Sequence, residues 1–134
     1  MPEVKVPGYI LYAQRVLSGK IVAGKWVKLA CERFFAFMED DRYEFREKKV
    51  QDVIRFIHML RHYTGRHAGR PFTLELWQEF AVASIYGFYR RDDGSRLVKS
   101  VYMEMARKQG KSALAAALCL YSLIGEEEMN AEVY

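Results

Sequence analysis

Residues 111–124, KSALAAALCLYSLI, are apolar almost all the way round a helix, and this constrains the fold more than any other stretch. A surface helix keeps a polar face. A helix without one needs neighbours on more than one side, which a sheet layer supplies. Gly125 follows as a natural C-cap. Upstream, residues 97–105 predict a strand with Leu97, Val101, Met103 and Met105 on one face, and residues 130–134 begin another strand-like run. Strand, loop, helix and strand in that order open a βαβ unit. The expected class is therefore α/β, with a parallel sheet that is incomplete within these residues.

Ahead of this unit the periodicity is helical. Residues 9–18 follow Pro7-Gly8 and break at Ser18-Gly19. Residues 25–39 place Trp26, Val27, Ala30, Phe34, Phe37 and Met38 at helical spacing, and residues 47–63 do so with Val50, Val53, Ile54, Ile57 and Leu60. TGRHAGRPF is a loop. A fourth helix is expected over 75–86, stopping near Gly87, and Arg91 to Ser95 reads as a turn joining residues 87–90 to the strand at 97–105. The organisation expected is a helical region over 1–70 and the start of an α/β domain over 71–134.

A chain of 134 residues has room for one ordinary domain, or one and part of another. Its 51% hydrophobic and 28% charged residues exclude a disordered chain. No apolar run reaches the roughly 18–20 residues that span a bilayer. The N-terminus lacks the apolar stretch of a secretory signal. Cys31 and Cys119 lie in helical apolar patterns and read as two reduced core thiols. A soluble cytoplasmic protein is expected. The net charge of +4 is uneven: residues 1–70 hold 14 Lys/Arg against 8 Asp/Glu, residues 71–134 hold 7 against 9. A basic first half suits nucleic acid, or is simply a solvated helical surface.

Gly110-Lys111-Ser112 sits between the expected strand and helix. It is the closing triplet of the phosphate-loop pattern G-x-x-x-x-G-K-[ST], with Met105 in the place of the first glycine. Free backbone N–H groups and the helix dipole favour anions at such a start. Lys111 would neutralise the β- and γ-phosphates, the Ser112 hydroxyl would ligate Mg²⁺, and Gly110 would let the backbone approach closely. The competing reading is a helix that happens to begin with GKS.

The seven residues A-R-K-Q-G-K-S (106–112) resemble the deviant phosphate loop of tailed-phage terminase large subunits, the DNA-packaging motors. In that family the first glycine is often absent, and an arginine stands where Arg107 stands here. "GRHAGRPFTLELWQEF" (65–80) resembles the family's adenine-side motif, while "SGKIVAGKWVKLACERF" (18–34) and "VIRFIHMLRHYTG" (53–65) resemble its helical lead-in. The resemblance implies a P-loop NTPase fold using ATP and Mg²⁺. It also implies that Lys111 and Ser112 hold phosphate and metal, and that Lys108, Gln109 and Gly110 supply backbone donors. Arg107 would be an arginine finger within the same chain, suited by its planar, permanent charge. Gln78 would read the adenine edge as donor and acceptor. Phe72 would lie beside the base, and Trp77 would be a core anchor. Implied partners are double-stranded DNA, the portal protein and the small terminase subunit, with the motor a homo-oligomeric ring in the host cytoplasm. An endonuclease activity is implied for the intact protein, of which this chain would be the N-terminal fragment.

Other constellations point nowhere. His58 and His62 share a helical face near His67, but no Glu follows His58 as a zinc protease helix requires. "FFAFMEDD" (34–41) and "LIGEEE" (123–128) read as helix ends with acidic runs, and no two-metal acidic cluster is present. Two further readings stay open: another P-loop nucleic-acid motor such as a helicase, and a basic helical nucleic-acid-binding or assembly module without nucleotide chemistry.

Overall fold

The computed structural model describes residues 5–60, 73–104 and 111–124, and in the last segment the side chains of 113–123. Five helices and two short strands follow in the order α1 (Gly8–Leu17), α2 (Lys25–Glu39), β1 (Tyr43–Phe45), α3 (Glu47–Met59), α4 (Leu76–Tyr86), β2 (Phe88–Arg90) and α5 (Lys111–Ile124). The chain divides into two compact units, Met1–Val50 with Glu75–Lys99, and Gln51–Leu74 with Ser100–Tyr134.

In the first unit α1 packs on α2 and α4. The centre is aromatic. Phe34 is 2% exposed, and its ring lies 5.2 Å from Phe88, 5.4 Å from Phe80, 5.7 Å from Phe45 and 6.2 Å from Tyr9, all tilted or edge-on. Those geometries set positive ring edges against negative faces and add about 0.5–1.5 kcal/mol per pair beyond the area buried. Helix α1 ends at Leu17 with Ser18 as C-cap, and Gly19 then takes a φ of +84° that glycine adopts without a Cβ clash, with Ile21 N–H returning to the Arg15 carbonyl at 3.1 Å. The strands β1 and β2 pair antiparallel in the register Tyr43↔Arg90, Glu44↔Tyr89 and Phe45↔Phe88. Gly87, just before β2, has the Phe45 ring laid against its backbone where a Cβ would stand.

Over 97–104, the described part of the expected strand at 97–105, no strand forms. Residues 98–104 are irregular, and the nearest pairing is an isolated bridge between Tyr89 and Arg96. The turn expected before that strand does close. Asp93 Oδ1 accepts from both the Ser95 N–H (2.9 Å) and the Ser95 hydroxyl (2.7 Å), Gly94 takes φ +72°, and the Leu97 N–H reaches the Phe88 carbonyl at 2.9 Å. The chain thus folds back on β2 as far as Leu97. Past residue 97 no described residue supplies a ladder partner. The described residues are therefore mixed, mostly helical with one small antiparallel sheet, and the second strand expected for the βαβ unit, 130–134, lies outside them.

In the second unit, the part of α3 from Gln51 onward buries Val53 and Ile57, and the Phe56 ring meets Tyr121 of α5 edge-on at 5.4 Å. Helix α5 buries Leu114, Ala117 and Tyr121, a stripe at i, i+3 and i+7. Ala115, Ala116, Cys119, Leu120 and Leu123 are exposed, so one stripe is covered and not the whole girth. Alanine has little side chain to bury and the best helix propensity, which lets α5 persist half-covered. Cys31 and Cys119 are both free thiols, but only Cys31 is in a core; Cys119 is exposed.

Candidate functional site

The candidate residues divide between the described segments and the rest. Phe72, Arg107, Lys108, Gln109 and Gly110 lie outside the described residues, as do His62, His67 and the expected strand at 130–134. Gln78 lies in the first unit, and the backbone of Lys111 and Ser112 in the second.

Helix α5 begins at Lys111, the residue where the phosphate-loop pattern requires the turn from loop to helix. The first N–H groups of a helix have no acceptor within it. No acidic residue stands in the first turn of α5 to occupy its positive end. An anion held there would meet backbone donors and a favourable dipole. The arrangement suits phosphate oxygens on these grounds, and a lysine and a hydroxyl residue are the first two residues of that turn.

Gln78 is 6% exposed, the one buried polar side chain among the described residues. Its setting follows from a capping box. Glu75 is the N-cap of α4 with extended backbone (ψ 165°), its carboxylate accepts the backbone N–H of Gln78, and Gln78 Oε1 accepts the Glu75 N–H at 2.8 Å. The Glu75 carboxylate also accepts the indole N–H of Trp77 at 2.8 Å. Trp77 is therefore a half-buried residue tied to the cap, less deep than the core anchor expected of it. A carbonyl oxygen has two lone pairs, and the cap uses one. The second lone pair and both N–H donors of the amide remain for another partner, which is the set an adenine N6/N7 edge requires. Glu75 was not singled out in the sequence, although the E-x-x-Q spacing before an apolar run carried the signal.

Glu79, the next residue, faces the start of α1. A Cβ on Gly8 would strike its carboxylate, and α1 has no side-chain cap of its own, so a negative charge there meets the helix's positive end. Nearby, burial above all, then Glu47 and Glu79, pushes the Tyr9 hydroxyl up to about 12.

His58 Nε2 accepts the Leu74 N–H at 3.4 Å. Among the described residues no group of three or more His, Cys, Asp or Glu could hold a metal ion. No helix among them is long and apolar enough to cross a membrane.

Residues 76–134 match the family model described as "Terminase large subunit, ATPase domain". The match takes in Gln78 and the whole A-R-K-Q-G-K-S stretch, and over these residues the resemblance read from the sequence holds. No curated protein and no solved structure matches the chain.

Proposed function

Taking residues 76–134 as sequence of a terminase large subunit ATPase domain, we propose that this chain carries the adenine side and the phosphate loop of an ATP-driven motor that packages viral DNA. The observation that carries the reading is the coincidence of the family match with a helix starting at Lys111, directly after Gly110. Backbone N–H groups of residues 108–112 bind the phosphates, the Lys111 ammonium neutralises the β- and γ-oxygens, and Ser112 offers an oxygen to Mg²⁺. Mg²⁺, when bound, spreads the charge that develops on the phosphates. Arg107 supplies a second positive charge in the transition state, and Gln78 with Phe72 selects and flanks the base. The division in this reading is a helical lead-in over 1–70 and the ATPase start over 71–134. Within the intact motor, a ring of copies works on double-stranded DNA with the portal protein and the small terminase subunit in the host cytoplasm, and a nuclease cuts the concatemer.

The test is a titration of the chain with Mg²⁺-ATP, followed by calorimetry, beside Lys111→Ala. Binding by the parent chain that drops at least tenfold in the variant is expected, since a lysine–phosphate contact in a partly desolvated site is worth more than an ordinary hydrogen bond. Equal binding by the two chains would remove the phosphate loop from the reading.

A further inference from the structure

One stretch of the first unit carries cations and no acidic residue. Elsewhere the described arginines tend to be matched locally: Arg42 with Asp40, Arg46 with Glu44, Arg55 with Asp52 and Arg90 with Asp92. Residues 8–31 instead contain Arg15, Lys20, Lys25 and Lys28 and no Asp or Glu. All four are exposed, and among the described residues none of them is in an ion pair. Lys25 and Lys28 also stand in the first turn of α2, whose N-cap Gly24 offers no side chain. Cations there oppose the helix dipole, so their placement does not serve the stability of α2.

The same surface shows apolar groups to water. Trp26 is 77% exposed, Val22 98% and Leu29 43%, although Trp26 shares the helical apolar spacing of α2. The buried side of α2 is taken by Cys31 and Phe34, which turns Trp26 outward. Lys25, Trp26, Lys28 and Leu29 are neighbours within about one helical turn, and Lys25 Nζ lies 5.3 Å from the Trp26 ring centroid. Arg15 and Lys20 stand at the end of α1 and in the connection to α2, where the Ile21 N–H is bonded back to the Arg15 carbonyl.

We propose that the start of α2, with Lys25, Trp26 and Lys28, binds single-stranded nucleic acid, the indole stacking on a base and the cations following the phosphates, with Arg15 and Lys20 the preceding cations in the chain. Charge complementarity requires a polyanion, and the exposed indole decides which one. A duplex keeps its base faces stacked inside and offers an indole only phosphates and groove edges. A single strand offers a π-face with every base, and stacking of this kind tolerates any sequence. A ring flanked by lysines meets both parts of a nucleotide, and the weak hold of Lys25 over the exposed indole is easily displaced.

The test uses the whole chain without nucleotide, so its outcome does not depend on the phosphate loop. A fluorescein-labelled oligothymidylate is titrated while anisotropy and tryptophan emission are followed, at low and at high salt. The expected result is quenched emission and affinity that falls with salt. Trp26→Ala should weaken binding about tenfold, with Trp26→Phe keeping most of it. Lys25→Ala with Lys28→Ala should flatten the salt slope by about 0.7 for each charge removed. These positions are exposed, and circular dichroism verifies that the variants fold. Wild-type affinity in Trp26→Ala, or a duplex of the same length binding as tightly as the single strand, overturns the proposal. Sedimentation adds a further arm: self-association that is lost in Trp26→Ala with nucleic-acid affinity unchanged would make this surface a protein interface instead.

Discussion

Gln78 Oε1 accepts the backbone N–H of Glu75 at 2.8 Å while the Glu75 carboxylate accepts the backbone N–H of Gln78. One side chain thus closes the first turn of α4 and carries the amide proposed to read a base. The two roles use different atoms, and so they can be separated.

Gln78→Glu keeps the cap acceptor but loses the amide donors. It should lose some stability, since it sets a carboxylate at a buried position beside that of Glu75. It should lose its preference for ATP over GTP, by roughly five- to thirtyfold for a lost amide contact of about 1–2 kcal/mol. Gln78→Ala should lose the same preference and also about 1 kcal/mol of stability with the cap. Thermal unfolding beside ATP and GTP titrations checks both. An unchanged preference in Gln78→Glu rules out base reading.

Arg107→Ala, made in an assembled motor that turns over ATP, should lower turnover by about 10³-fold or more and leave nucleotide affinity nearly unchanged. A finger of this kind stabilises charge that appears only in the transition state. Phosphate release and nucleotide titration measure the two quantities separately. A loss of affinity matching the loss of turnover would make Arg107 a ground-state binder.

Gly87→Ala should be costly for a steric reason alone. The backbone at Gly87 has φ −84°, open to any residue, but a new Cβ would sit 2.6 Å from the Ala83 carbonyl oxygen and against the Phe45 ring. Shifting a ring held among Phe34, Tyr9 and Phe88 should cost about 1–3 kcal/mol. Gly19→Ala has open space around it but needs φ +84°, and should cost about 1 kcal/mol. Urea unfolding of the two variants should rank Gly87→Ala as the more damaging.

Stability should decline in alkali from about pH 9. Burial, then Glu32, pushes the Cys31 thiol from an ordinary 9.0 up to about 11, and burial with Glu47 and Glu79 pushes Tyr9 from 10.0 to about 12. Both groups are neutral when protonated, and both folded values lie above the unfolded ones. The unfolded chain therefore ionises first. The contribution is whole below pH 9 and is lost as the pH rises through 9 to 12. Urea midpoints measured across that range should fall, and Cys31→Ala should delay the onset toward pH 10. A midpoint that stays level to pH 11 would contradict the burial of both groups.

Helix was legible in the sequence because its signal is local. The patterns at 9–18, 25–39, 75–86 and 111–124 lie within a residue of α1, α2, α4 and α5 at each end, since apolar spacing, Gly19 and the glycine after Tyr86 act within a turn or two. The start of α5 at Lys111 was legible for the same reason. Strands were not. The three residues of β1 carry no run that predicts them, and they are a strand only because Phe88 to Arg90, distant in the chain, lie alongside. The run at 97–105 has a strand's alternation and no partner among the described residues. Exposure was likewise decided tertiarily. Trp26 and Cys119 sit in apolar patterns as good as those of Phe34 and Cys31, but a helix turns only one side to its neighbours. Periodicity determines which residues share a face. Which face is covered depends on the other elements packed against it, and that information is spread over the whole chain.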